Sequence, residues 1–190
     1  MTLKLGVTTG TFDPITKGHL YFIKQASLLC NKLIVILSTP RVKKPILTIE
    51  ERKLLIENEI VKLKLQNIEV HITHEYAIDY AINLQEKPEV FIRGVRDGKD
   101  YDDEMKRIFN LCEEKLKINS VIPIFIPSNS EFSYISSTYV RKKIINNQDC
   151  SKEISKDIED KLKTRLQLLE EILNFKDDSN QRNITFDIFN

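Results

Sequence analysis

A short apolar run from Leu3 to Val7 breaks at Thr8-Thr9-Gly10 and reads as a first strand. From Gly18 to Leu29 the apolar positions Leu20, Ile23, Ala26 and Leu29 recur at helical spacing, so strand, turn and helix follow in order. Leu33 to Leu37 is apolar at every position, the pattern of a strand covered on both faces in a parallel sheet. Thr48 with Glu51 three residues on is a capping box, and it predicts a helix running through Leu55 and Ile60.

The alternation continues. Ile68 to Ile72 reads as a third strand, and Tyr76 to Leu84 as a helix with Ala77, Ala81 and Leu84 inward. Val90 to Ile92 reads as a fourth strand ending at Arg93-Gly94, Asp102 to Leu116 as an amphipathic helix, and Val121 to Ile126 as a fifth strand ending at Pro127. Strands alternating with helices at this spacing predict an α/β fold, a Rossmann-like doubly wound parallel five-stranded sheet with ligands at the carboxyl ends of its strands. From Ser151 the composition shifts to Lys, Glu, Asp and Leu, and Ile154, Ile158, Leu162, Leu166, Leu169 and Leu173 recur at three- and four-residue spacing. The expected organisation is residues 1–150 as one α/β domain, 151–174 as a C-terminal amphipathic helix that covers the core or extends an interface, and 175–190 as a polar tail.

Composition changes this picture little but excludes several classes of function. With Lys+Arg 29 against Asp+Glu 28 and a formal net charge of +1, the chain carries no field that would gather nucleic acid or an anionic membrane. No apolar run approaches the ~20 residues of a membrane span. The first residues lack the pattern of a secretory signal. Cys30, Cys112 and Cys150 are scattered and odd in number, so they read as reduced thiols of a cytoplasmic protein. His71 and His74 lie on or beside a strand, would point to opposite faces, and do not form a metal-ligand set.

Three segments at predicted strand ends carry residues a core does not need. In Gly10-Thr-Phe-Asp-Pro-Ile-Thr-Lys-Gly-His19, Gly10 permits a tight turn and Gly18 permits close approach to a helix start. His19 sits in the first helical turn, where amides and the helix dipole favour an anion and an imidazole can donate to a phosphate oxygen. Arg93-Gly-Val-Arg96 offers two guanidinium groups to phosphate, or is a solvated charged loop. In Ser133-Tyr-Ile-Ser-Ser-Thr-Tyr-Val-Arg141 the hydroxyls of Ser136, Ser137 and Thr138 cap a helix, hold a polyphosphate, or do both. Lys43, beyond the second strand, is either an ordinary loop lysine or an arm into the cleft.

Taken together, GTFDPITKGH, RGVRDGKDYDDEM and SYISSTYVRKKI resemble the signatures of the nucleotidyltransferase superfamily with its Thr/His-x-Gly-His motif, and within it bacterial-type phosphopantetheine adenylyltransferases. The resemblance runs from about residue 3 to about residue 150. It implies transfer of the adenylyl group of ATP to 4′-phosphopantetheine, giving dephospho-coenzyme A and pyrophosphate, with Mg2+ carried by the nucleotide. It also implies a homo-oligomer, a hexamer in relatives. By the same resemblance His19, Lys43 and Arg93 would be catalytic, His19 stabilising the pentacovalent α-phosphate and Lys43 and Arg93 holding the acceptor phosphate. Thr11 and Phe12 would contact the nucleotide, Thr11 also the acceptor phosphate. Gly94, Val95, Arg96 and Glu104 would hold ATP together with Phe132, Ser133, Tyr134, Ile135, Ser136, Ser137 and Thr138.

The chain departs from the family pattern at Thr9, where proline is usual, and at Lys17, where asparagine is usual. It departs again at Tyr101-Asp102-Asp103, at Leu111-Cys112 in place of an Asn-Arg pair, and over His74 to Tyr80, which aligns with the pantetheine-contacting segment. Two other readings stand beside this one. One is an adenylyltransferase acting on nicotinate or nicotinamide mononucleotide; the other is a non-catalytic nucleotide-binding module.

Overall fold

The computed structural model describes residues 3–39, 45–114 and 122–177, with side chains for all of these except 107–114 and 172–177. Five strands, β1 (Leu3–Gly10), β2 (Cys30–Ser38), β3 (Ile68–Thr73), β4 (Val90–Val95) and β5 (Ile122–Pro127), form one sheet in the order β3-β2-β1-β4-β5. Every pairing is parallel. The helices are α1 (Lys17–Ser27), α2 (Ile49–Lys62), α3 (Ala77–Ile82), α4 (Gly98–Glu114), α5 (Ser137–Ile145) and α6 (Lys156–Asp177).

The unbroken apolar run of β2 explains itself in the packing. Leu33, Val35 and Leu37 enter the larger core with α1, α2, α5 and α6, while Ile34 and Ile36 join Leu5, Val7 and Ala81 in a second core beneath α3. Both alternate sets of a strand are therefore covered, as the missing period-two pattern requires. Thr48 caps α2 as expected: its Oγ1 accepts from the Glu51 amide at 3.2 Å, and Glu51 returns a bond to the Thr48 amide at 2.8 Å.

Two expectations need adjustment. β4 continues through Arg93-Gly94 to Val95, because its backbone keeps pairing with β5 as far as Val95 opposite Pro127, although the apolar run ends at Ile92. The C-terminal helix begins at Lys156, because Glu153 and Ile154 are buried in a preceding turn. That helix packs on the core through Ile158, Leu162 and Leu166, and Lys161 reaches Glu51 of α2 at 2.9 Å. Val121, Leu116 and the tail from residue 178 lie outside the described residues.

The feature that creates a site is the seam between β1 and β4. Their pairing is confined to Gly6 with Val90 and Val7 with Phe91, after which the strands separate. This is the point where strand order reverses, and it opens a crevice at the carboxyl edge of the sheet.

Candidate functional site

A cleft of about 260 Å³ occupies that crevice. Thr8 to Phe12, Gly18 and His19 line it from the first loop and α1, Arg93 to Arg96 from β4 and its end, and Phe132 with Ile135, Ser136 and Ser137 from the start of α5. The three segments marked out by the sequence are thus three walls of one cavity.

The first wall depends on Phe12, which adopts the left-handed conformation with φ of 47°. Gly10 has an ordinary φ, so its glycine is needed for another reason than the expected tight turn. A Cβ there would stand 2.7 Å from the Phe12 ring, which folds back over it. Phe12 then meets the His19 ring edge-on, with centroids 5.1 Å apart. Beneath this turn the buried Asp13 carboxylate accepts from the amides of Ile46 and Leu47 at 2.9 and 3.0 Å. Arg141 donates to the Asp13 carbonyl at 2.6 Å. The buried Arg52 donates to the Thr11 carbonyl, also at 2.6 Å, and to that of Ser38 at 3.3 Å.

His19 is the third residue of α1 and closes a capping box with Thr16. The Thr16 amide, which can only donate, points at Nδ1 of His19 at 3.1 Å. Nδ1 must therefore accept, and in the neutral ring the proton sits on Nε2. Burial, and secondarily the positive charge of Arg96, hold the imidazole pKa down to about 4. His19 is thus a neutral N–H donor near pH 7. Among the first-turn amides of α1, that of Lys17 is taken by the Glu153 carbonyl and that of His19 by Thr16 Oγ1. Gly18, on the cleft wall, supplies the amide left to an anion.

The depressed pKa has a sign that can be checked. Below pH 6.5 the unfolded chain binds a proton at this histidine while the folded chain does not, so its contribution to stability is present above 6.5 and is lost as pH falls toward about 4. Urea unfolding at pH 7 and pH 5 is expected to show a loss of about 2 kcal/mol that is missing in His19→Gln. An identical pH dependence in the variant would show that the ring is not held neutral.

Arg93 spans the gap where β1 and β4 part. Its Nη1 donates to the Thr9 carbonyl at 2.7 Å and to Thr9 Oγ1 at 2.8 Å, while Nε meets Glu104 at 2.6 Å. The hydroxyl of Thr9 thus has a structural use. Lys17 donates to the Ser151 carbonyl at 2.7 Å. Arg96 is held at the rim by Asp100, with contacts of 3.0 and 3.1 Å. Ser136 caps α5 by accepting from the Tyr139 amide at 3.0 Å, and Ser137 donates to the Pro14 carbonyl at 2.8 Å. Both serines still face the cleft, so capping and lining coexist.

Of the residues expected from the resemblance, Thr11, Phe12, His19, Arg93, Gly94, Val95, Arg96, Phe132, Ile135, Ser136 and Ser137 line the cavity. Glu104, Ser133, Tyr134 and Thr138 are not on its wall: Glu104 is buried against Arg93, and the Tyr134 hydroxyl donates to Glu153 at 3.3 Å. Lys43 lies outside the described residues, and the side chains of Leu111 and Cys112 are not among those described. Sequence reading missed Phe22, Asp100, Ser128 and Arg52. The signal for Arg52 was available, since it stands three residues after Ile49 and four before Ile56 on the buried stripe of α2. His71 is half-buried and bonds Tyr80 at 3.1 Å and Glu69 at 3.0 Å. No His/Cys/Asp/Glu group among the described residues could hold a metal ion, and none of the described helices is long and apolar enough to cross a membrane.

Comparison with known proteins agrees with this geometry. Residues 7–143 match the cytidylyltransferase-like family. A phosphopantetheine adenylyltransferase of Clostridium botulinum is 37% identical over 140 residues, 74% of this chain and 81% of that protein. Another, from Fusobacterium nucleatum, is 32% identical over 146 residues, 77% of this chain and 86% of that protein. Among solved structures, a Vibrio parahaemolyticus protein provisionally named a nicotinate-nucleotide adenylyltransferase superposes with TM-score 0.57 at 16% identity, covering 85% of this chain and 99% of that one. A bifunctional NMN adenylyltransferase/ADP ribose pyrophosphatase of Francisella tularensis gives TM-score 0.60 at 15% identity over 96% of this chain and 58% of that longer one. At such identities the structures speak to the fold alone, and the fold is the same. With the family pattern spanning all three walls of the cleft, the chain belongs to the cytidylyltransferase-like family of nucleotidyltransferases.

Proposed function

We propose that the chain transfers the adenylyl group of ATP to 4′-phosphopantetheine, releasing pyrophosphate and forming dephospho-coenzyme A. The observation that carries the reading is the neutral His19, its Nδ1 fixed by the Thr16 amide, beside the open amide of Gly18 and opposite Arg93. A phosphate oxygen of the acceptor attacks the α-phosphorus, the bond to the bridging oxygen breaks, and pyrophosphate leaves with that electron pair. Such a displacement asks the protein for positioning and charge stabilisation and needs no protein nucleophile. An Nε2–H donor with no charge of its own serves there as a hydrogen-bond donor to the crowded equatorial oxygens. The choice of acceptor is supported by the relatives at 32–37% identity, named phosphopantetheine adenylyltransferases.

The cleft's polar lining is hydroxyls, amides and guanidinium groups, with Asp100 engaged by Arg96. That set suits phosphate oxygens, and Mg2+ fits as the counter-ion the nucleotide brings, held mainly by its phosphates and water. Bound there, it would neutralise charge on the β- and γ-phosphates, while Arg93, Gly18 and His19 orient the reacting groups. The hexameric assembly and cytoplasmic location of the sequence reading belong to the same proposal. The test is pyrophosphate release from ATP and Mg2+ with 4′-phosphopantetheine, with nicotinate or nicotinamide mononucleotide, and with no acceptor. Release with 4′-phosphopantetheine alone is expected. Release with a mononucleotide alone would replace the acceptor, and silence with every acceptor would remove the catalytic reading.

A further inference from the structure

Glu153 is buried to 2% exposure in the turn that precedes α6, and three elements converge on it. Its carboxylate accepts from Lys143 Nζ of α5 at 2.9 Å and from the Tyr134 hydroxyl at 3.3 Å. Its carbonyl accepts from the amide of Lys17, the first residue of α1, at 2.8 Å. Tyr134 stands between Phe132 and Ile135, both on the cleft wall, yet is itself 49% exposed and off that wall. Lys143 also lies 5.6 Å from the Tyr139 ring, which packs edge-on against Tyr134. A buried carboxylate is costly unless fully paired, and an apolar side chain would fill the turn as well. What the carboxylate adds is direction: it fixes the segment before α5 against the helix that carries Gly18 and His19.

We propose that Glu153 is a positioning residue for nucleotide binding, acting through Tyr134 to hold the 132–137 wall at its distance from the N-terminus of α1. The proposal rests on reading the cleft as an ATP site. It assigns a part in binding to the turn before the C-terminal helix, a segment that follows the region matched by the family pattern. His19 and Arg93 keep their own partners when the carboxylate is lost, so the effect falls on nucleotide affinity and not on the transfer step.

The test measures ATP affinity by titration calorimetry, together with KM, kcat and Tm, for the full chain, Glu153→Gln, Tyr134→Phe and the double variant. Glu153→Gln is expected to weaken ATP binding about five- to tenfold, the worth of one buried hydrogen bond, with kcat within about twofold. Tyr134→Phe is expected to weaken it in the same direction, and the double variant to be no worse than Glu153→Gln, since the two act through one contact. Unchanged ATP affinity in a Glu153→Gln protein whose Tm has fallen would make the residue merely structural and overturn the proposal. So would additive losses in the double variant. If Glu153→Gln does not fold, Tyr134→Phe decides alone, and wild-type affinity there overturns the proposal. Wild-type protein that fails to bind ATP overturns the functional reading as well, which separates the two failures.

Discussion

His19→Ala is expected to lower kcat by about 10²- to 10³-fold while the dissociation constant for ATP changes by no more than a few-fold. The asymmetry follows from where the donor points. Nδ1 is occupied by Thr16, so only Nε2–H serves the reacting phosphate, and oxygen charge and crowding there grow toward the transition state. Ground-state ATP has other donors in the same cleft, among them the Gly18 amide and the hydroxyl of Ser136, whose oxygen accepts from Tyr139 but whose proton is uncommitted. Single-turnover measurement of pyrophosphate release, with ATP binding measured separately, divides the two effects. A loss expressed wholly in ATP affinity, with transfer from bound nucleotide intact, would make His19 a binding residue and refute its role at the transition state.

The contrast with Asn at the same position sharpens the point. His19→Asn keeps an N–H donor but loses the ring that Thr16 orients and that packs 5.1 Å from Phe12. Hydrogen-bonding capacity alone does not restore preorganised geometry.

The walls of this cleft were legible in the sequence because they violate ordinary loop and core composition. A histidine three residues into a helix behind Thr-Lys-Gly, an arginine directly after Val-Phe-Ile, and three consecutive hydroxyls before a helix are poor choices for packing alone. The parallel sheet was legible for the opposite reason: β2 has no polar face, so both its faces had to be covered. What the sequence withheld is pairing. Nothing in the spacing from Arg93 to Glu104 tells that the two charges meet at 2.6 Å, since they meet only once β4 and α4 are docked. Likewise Gly10 was identified as a position that needs glycine, but the reason lies in a ring two residues later that turns left-handed and folds back on it. Arg52 was hidden by its type. An arginine on an apolar helical stripe looks like a flaw in the pattern until the carbonyls of Thr11 and Ser38 are seen to need donors.

Arg93 is the other position where a single change should be felt strongly, and here folding and chemistry must be separated. Its side chain is 17% exposed and that of Glu104 11%, so Arg93→Met takes the guanidinium away from a largely buried carboxylate. Breaking such a pair costs on the order of 3 kcal/mol, far more than an exposed ion pair is worth. Urea unfolding should show that loss, and turnover should fall by at least about 10²-fold, as for removal of one preorganised donor. Arg93→Lys is expected to recover little, because one ammonium cannot match the planar fork that reaches Glu104 and Thr9 together. The decisive variant is Arg93→Met/Glu104→Leu. With both charges gone the buried penalty disappears, and stability should return close to wild type while turnover stays low. If turnover returned along with stability, Arg93 would be a strut across the gap between β1 and β4, and the acceptor phosphate would have to be held elsewhere in the cleft.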